Sequence, residues 1–420
     1  MADTGSSKGP VRKGVWVRIP PRASQLDLLA ELDSLIDVGR RAPGSDAERR
    51  AALHLERRLQ ELGRPAETEP VDAWPGWPLA YAILATLGVV ASLLSTAAPL
   101  AAAALAFAAS LLTFLDAAVL LPTLRRVLGR RASQNVLSWG DRERAGAIVL
   151  VAHCDAGRAG LAVGRRAVER RAALGQLIRH PIGGLELLFW AQLAVLVSCL
   201  LRLAGLDGTP LTAVQFVPTV ALIVAVALLI DIAISGTRGG ENDNASGLVV
   251  ALRLAERFGA DRLEHFAVHV LFTGSQKAGA AGMRAFLKRH GHELARDGTV
   301  FLNVDAVGSG TVRYTRREGP LLAFRSHVDL VSLCDEIAED DDEENAFGAR
   351  PIVSRAASDA YAARSAGYPT ITISCRGRLD YVPGRVDEEA LERAEGFCAE
   401  LIERLDAQVG ADRISAAEES

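Results

Sequence analysis

The segment Ala147-Ile148-Val149-Leu150-Val151-Ala152-His153-Cys154-Asp155 decides the fold. Its first six residues are apolar, the pattern of a short strand buried on both faces of a sheet. The run ends at a histidine, with a carboxylate two residues further on. The same arrangement recurs outward from it. Asn135–Ser138 reads as a strand, and Phe266–Phe272 is a second buried run, followed by Gly274–Gly282 and a helix through Arg289. Val300–Val304 is a strand ending at Asp305, and Thr370–Ser374 is another. Helical periods cover Leu248–Phe258 and the closing amphipathic segment Glu388–Leu405. Upstream, Leu26–Leu62 reads as two helices separated by Arg41-Ala42-Pro43-Gly44-Ser45. The second starts near Ser45 or Asp46, with Glu48 in its first turn. Strands alternating with helices place the chain in the α/β class, with a mostly parallel mixed sheet flanked by helices. In such sheets ligands sit at the carboxyl ends of the strands. His153, Gln276 with Lys277, and Asp305 all fall there.

The 420 residues suffice for one large domain or two ordinary ones, and the formal net charge of -4 gives no reason to expect a nucleic-acid partner. Cys154, Cys199, Cys334, Cys375 and Cys398 are odd in number, and none forms a C-x-x-C pair. That usage fits reduced thiols rather than a disulfide framework. Residues 1–22 read as a flexible basic arm with Pro10, Pro20 and Pro21, and no signal peptide is expected there. The acidic run Glu339–Glu344 reads as a solvated loop.

Four nearly uncharged runs, Leu79–Ala97, Leu100–Leu121, Leu187–Leu201 and Leu211–Ile230, approach the roughly 20 residues needed to cross a bilayer. They read as two inserted transmembrane hairpins rather than as core helices of a soluble protein. Trp74, Trp77 and Trp190 sit at run ends as interfacial anchors, and Arg202 is expected to snorkel from the third and shortest run. Asp116 lies within a span, and Asp231 is expected to mark the end of its helix. Arg125, Arg126, Arg130 and Arg131 follow the second run, and Arg165, Arg166, Arg170, Arg171 and Arg179 precede the third. The opposite face carries only Arg202, offset by Asp207. This bias puts the polar segments in the cytoplasm.

The motif His153-x-Asp155, then Asp243-Asn244-Ala245-Ser246-Gly247, then Asn303-x-Asp305 resembles the two-zinc aminopeptidase family. Arg41-x-Pro43-Gly44-Ser45, Ser358-Asp359 and Gly367-Tyr368-Pro369 extend the resemblance over nearly all the polar sequence. It implies a zinc aminopeptidase-like fold in three parts, 23–75, 125–182 and 236–408, interrupted by hairpins at 76–124 and 183–235 and followed by a tail at 409–420. It also implies that His153, Asp243 and Asp305 hold one metal and that Asp155 orients the histidine ring.

The chain departs from the family where two adjacent glutamates belong, which here read Gln276-Lys277. An amide at the general-base position accepts no proton, and losing a positioned base costs about 10²–10⁴-fold in rate. A protonated lysine at a metal-ligand position offers no lone pair and repels a cation. No histidine follows His327; Asp380 is the nearest stand-in for the family's last metal ligand. The resemblance therefore implies one zinc ion at most, with a second not expected. Lys277 is expected to neutralise Asp243 and Asp155 in place of that second ion. The leading reading is a membrane pseudopeptidase that binds a peptide or membrane-protein partner, for which transferrin receptor and nicastrin are non-catalytic precedents in the family. The alternatives are an active hydrolase using one zinc, with Asp359 or Asp380 as base, and the regulatory domain of a channel or transporter. Because Asp243 follows the last span closely, the site is expected near the membrane surface.

Overall fold

The structure is a computed structural model, and it describes residues 26–118, 121–122, 124–144, 146–259, 262–340, 347–375 and 386–409. The basic arm, Asp380, positions 341–344 of the acidic run and the tail beyond residue 409 lie outside the described residues.

The chain begins with α1 (Leu28–Asp37), capped by the Asp27 carboxylate, and α2 (Asp46–Glu61), capped by Ser45. Strand β1 (Glu67–Ala73) leads into α3 (Trp77–Leu94) and α4 (Pro99–Ala117). Then come β2 (Arg131–Ser138), β3 (Gly146–His153), α5 (Arg165–Leu177), α6 (Gly184–Leu203) and α7 (Thr209–Ile234). They are followed by α8 (Ser246–Arg257), β4 (Phe266–Thr273), α9 (Ala281–His290), β5 (Thr299–Val304), β6 (Arg313–Glu318) and β7 (Phe324–Arg325). The chain closes with α10 (Val328–Glu339), β8 (Arg350–Ser354), α11 (Asp359–Ser365), β9 (Thr370–Ser374) and α12 (Glu388–Arg404).

The strands form one mixed sheet in the order β1-β2-β4-β3-β5-β9-β6-β7, with β8 beside β6. Its centre, β4-β3-β5-β9, is parallel throughout. Every residue of β4, β5 and β9 is buried, because helices cover both faces, and this explains the apolar runs within β4 and β5. On one face α1, α2, α8, α10 and α12 pack around Leu35, Leu55, Leu252 and Phe397. On the other, α9 and α11 pack around Met283, Phe286 and Ala363.

The helices α3, α4, α6 and α7 are long and apolar enough to cross a membrane. They form a bundle with its own core, rich in alanine. Small residues let the backbones approach: a side chain at Gly88 would place its Cβ 2.9 Å from Leu222 Cδ1. The helix limits correct three expectations. Helix α6 spans 20 residues, so the third run is not the shortest; α3 has 18. Trp190 lies in the second turn of α6 rather than at its start. Asp231 does not end its helix, which continues to Ile234; its carboxylate instead accepts a hydrogen bond from the Leu161 N–H at 2.6 Å.

Two charges also behave differently from the expectation. Arg202 does not snorkel outward. It is buried at the far end of the bundle, where Asp207, Gln215 Oε1 and Thr212 Oγ1 accept its hydrogen bonds. Gln215 in turn donates to Ser92 and Ser95, and Ser92 pairs with Thr219 at 2.6 Å. Inside an apolar bundle such a guanidinium is held by polar partners, not by water. Arg125 is not a free cytoplasmic charge either. It is buried and donates from Nε to Asp116 Oδ1 at 2.7 Å, tying the end of α4 to the sheet domain.

Candidate metal centre

The carboxyl ends of β3 and β5 and the segment between α7 and α8 bring His153, Asp305 and Asp243 together. Their ligand atoms all lie within 4.8 Å of one another. His153 ends β3, and its Nε2 stands 3.2 Å from Asp243 Oδ1 and 3.5 Å from Asp305 Oδ1 without a hydrogen bond to either. A buried imidazole nitrogen and two carboxylates facing one point form the nitrogen–oxygen donor set that suits zinc. The residues present therefore fit one ion. Burial and the Lys277 charge both pull the His153 pKa down, but Asp155, Asp243 and Asp305 outweigh them and hold it well above the usual imidazole value.

The loops are fixed by contacts distant in sequence. Asn244 bridges two of them: its amide donates to Val304 O at 3.0 Å and accepts from Ala306 N at 2.8 Å. Asn242 accepts from Gly308 N at 2.9 Å, and Ser246 Oγ accepts from Val307 N at 3.1 Å. Gly247 is required by close approach, because a Cβ there would lie 2.3 Å from Asn244 Oδ1 and 2.4 Å from Val304 O. The Asp-Asn-Ala-Ser-Gly motif is thus a clamp that sets Asp243 against the strand end carrying Asp305.

Asp155 lies beside the His153 ring and has a second role besides the one expected. The His153 ring is oriented through Nδ1 by the Asp155 backbone carbonyl at 2.8 Å, with the carboxylate at 3.2 Å. The Asp155 carboxylate itself accepts the backbone N–H groups of Gln276 at 2.9 Å and Lys277 at 2.8 Å. It therefore positions the loop that carries Gln276 and Lys277. Lys277 places Nζ 2.9 Å from Asp243 Oδ1. Its link to Asp155 is through the backbone rather than the ammonium group. The Gln276 amide donates to Ala357 O at 2.6 Å, while its buried Oε1 has no hydrogen-bond partner.

Three further residues belong to the site. Arg41 is completely buried, and its guanidinium donates to the carbonyls of Leu35, Cys154 and Gly240 at 2.8–2.9 Å. It joins the His153 loop to the segment entering Asp243. The sequence offered only its place in a helix-start motif. Glu48 reaches the Gln276 loop, accepting from Ser275 N at 2.6 Å, Gly44 N at 2.7 Å and Ser133 Oγ at 2.9 Å. Burial, helped by the Asp155 charge, pushes its pKa up to about 7 against those three hydrogen bonds. A glutamate three residues after Ser45 reads as a capping residue, which hides this role. Asp359, at the start of α11, accepts from Thr273 Oγ1 at 2.5 Å, and its Oδ1 is buried without a hydrogen bond. Burial pushes its pKa up to about 6.

The site borders the apolar bundle of α3, α4, α6 and α7. Tyr361 of α11 donates to Ala118 O at 3.4 Å, just beyond α4. The Ala159 N–H donates to Gly236 O, just beyond α7, at 2.8 Å.

No curated protein sequence matches the chain at a significant level. Similar solved structures include a leucine aminopeptidase precursor from Bacteroides thetaiotaomicron at 12% identity, covering 91% of this chain and 98% of that one, with a TM-score of 0.46. A Zn-dependent exopeptidase from Parabacteroides distasonis matches at 11% identity, covering 90% and 96%, with a TM-score of 0.48. A glutaminyl cyclase from Tannerella forsythia matches at 12% identity, covering 89% and 96%, with a TM-score of 0.49. The model of peptidase family M28 matches residues 225–393, the stretch that carries Asp243, Gln276, Lys277, Asp305 and Asp359, and in its fold and motif order the chain resembles that family.

Proposed function

We propose that the chain is a multi-pass membrane protein whose cytoplasmic domain keeps one zinc site and binds a membrane-proximal peptide or protein without cleaving it. The observation that carries this reading is the ion pair between Lys277 Nζ and Asp243 Oδ1 at 2.9 Å. A fixed positive charge there relieves carboxylate repulsion that would otherwise call for a second cation. Beside it, the Gln276 side chain is tied to Ala357 O and offers an amide where hydrolysis needs a base. His153, Asp243 and Asp305 would hold the zinc, which at an open nitrogen–oxygen site supplies Lewis-acid activation of a ligand oxygen. Arg41, Asn244 and Asp155 keep the loops in register, and the nearby ends of α4 and α7 favour a ligand presented at the bilayer surface.

The test is elemental mass spectrometry on detergent-purified protein without added metal, together with aminoacyl chromogenic substrates. About one zinc per chain, lost in His153→Ala, with no hydrolysis, supports the reading. Lys277→Ala should lower the melting temperature or raise metal uptake; if it changes neither, the ammonium does not replace a cation.

Asp359 favours a second reading, a one-zinc hydrolase. It is a buried carboxylate with a pKa near that of an effective base and a bond-free oxygen. Hydrolysis by the unaltered protein that disappears in both His153→Ala and Asp359→Asn would establish this reading over the first.

A further inference from the structure

Helix α5 lies between the His153 loop and α6, and nothing in the metal site uses it. Of its residues only Gly175 is buried. Arg166, Arg170, Leu174, Leu177 and Ile178 recur at spacings of three and four, so they share one face. That face is solvent-exposed: Leu174 is 49% exposed, Ile178 52% and Leu177 80%. Arg166 and Arg170 are exposed as well and have no ion-pair partner among the described residues. An exposed stripe that begins basic and ends in large aliphatic side chains is unusual for a helix facing water.

The ends of α5 fix its orientation. Ahead of it, the Leu161 N–H donates to Asp231 Oδ2 in the last turn of α7 at 2.6 Å. Arg158 Nη1 donates to Ala233 O at 3.1 Å, and Arg238 donates to Val163 O. Behind it, His180 stands 3.3 Å from Glu186 in the first turn of α6, and the Gly183 N–H donates to the same carboxylate. Both ends are therefore tied to the level at which the α6–α7 hairpin leaves its apolar stretch. A helix of 13 residues, about 20 Å long, held in this way runs across the end of the bundle. Leu161, 72% exposed, and Ile234, 81% exposed, flank it at the same level.

We propose that α5 is an interfacial helix that docks on anionic lipid headgroups through Arg166 and Arg170 and inserts Leu174, Leu177 and Ile178 at the acyl boundary. Charge complementarity selects the lipid, and continuity with α6 supplies the surface. Amphipathic helices with arginine beside leucine bind this boundary, more strongly when the lipid is anionic. The proposal rests on the membrane reading of the bundle but not on the metal site.

The full-length protein carrying Leu177→Cys is labelled with an environment-sensitive fluorophore. All five native cysteines are buried, so the label is selective. The labelled protein is placed in nanodiscs of phosphatidylcholine, alone or mixed with phosphatidylglycerol. With phosphatidylglycerol, the label should be protected from aqueous iodide and quenched by a nitroxide lipid labelled near the headgroup. Each arginine near an anionic surface contributes about fivefold to the docked ratio, so Arg166→Gln with Arg170→Gln should restore iodide quenching. Stable incorporation with a label equally open to iodide in both lipid mixtures would overturn the docking while leaving the spans intact. Protection that persists in detergent and in the double variant would mean a protein surface covers α5, which also overturns it.

Discussion

At the scale of single residues, the fold is held by polar side chains that would be costly if unpaired. His269 shows this with a measurable sign. It lies in β4, 4% exposed, against Trp139, and its Nδ1 accepts a hydrogen bond from Gly140 N at 2.8 Å. Burial, with help from the Arg64 and Arg142 charges, pushes its pKa down from 6.5 to about 4. The unfolded chain then binds more protons than the folded one between those values, so stability falls as pH drops through that window. The loss amounts to about 3 kcal/mol by pH 4. In thermal melts at successive pH values, His269→Asn, which keeps an acceptor for Gly140 N–H, should lose this part of the slope. A variant as acid-sensitive as the parent would refute the assignment. Arg41 and Glu48 follow the same logic: each satisfies backbone groups of loops that would otherwise be buried and unpaired.

At the scale of elements, the site depends on loops rather than on helices or strands. The turn after β4 holds Ser275 and Ala280 in left-handed backbone, with φ of 53° and 51°. Such residues cost about 1–3 kcal/mol each and persist only where surroundings fix them. Here Glu48 and Asp155 do so by accepting the N–H groups of Ser275, Gln276 and Lys277. The clamp before α8 is equally tight. In Gly247→Ala the new methyl must displace Asn244 Oδ1 or Val304 O. That overpacking should cost about 1–3 kcal/mol. Since the clamp positions Asp243, zinc content should drop more sharply than melting temperature. Equal zinc content in parent and variant would show that Asp243 does not depend on this clamp.

At the scale of the whole molecule, the pairs α3–α4 and α6–α7 interrupt the chain, and the sheet domain assembles from the segments around them. Arg125 is held by Asp116 and Arg130 lies 3.3 Å from Asp72, but the positive-inside bias counts basic residues rather than net charge, so these pairs leave it in place. The arginines of α5 give the same sign. Reporters fused at each terminus should therefore both read cytoplasmic, while one inserted between α6 and α7 should read the opposite side. Termini on opposite sides would break the hairpin arrangement.

The central strands, the existence of α1 and the start of α2, the four apolar helices and the order of the His153, Asp243 and Asp305 motifs were legible because each follows from a local pattern. Contiguous apolar runs mark buried parallel strands, and strand ends mark where ligands converge. Strand β1, at one edge of the sheet, and strand β6, between β9 and β8, were not legible. Strand β1 carries Pro70 among acidic residues, and β6 reads Arg313-Tyr314-Thr315-Arg316-Arg317-Glu318, so both look like solvated loops. Their pairing comes from neighbours distant in sequence. The partners of charged side chains were likewise hidden: Arg41 on three carbonyls, Glu48 under the Gln276 loop, Arg125 on Asp116 and Arg202 inside the bundle. The sequence alone determined the class of fold and the residue types that meet at its site. Only the tertiary structure decided which charge faces which, because a buried polar group takes the partner that long-range packing brings within reach.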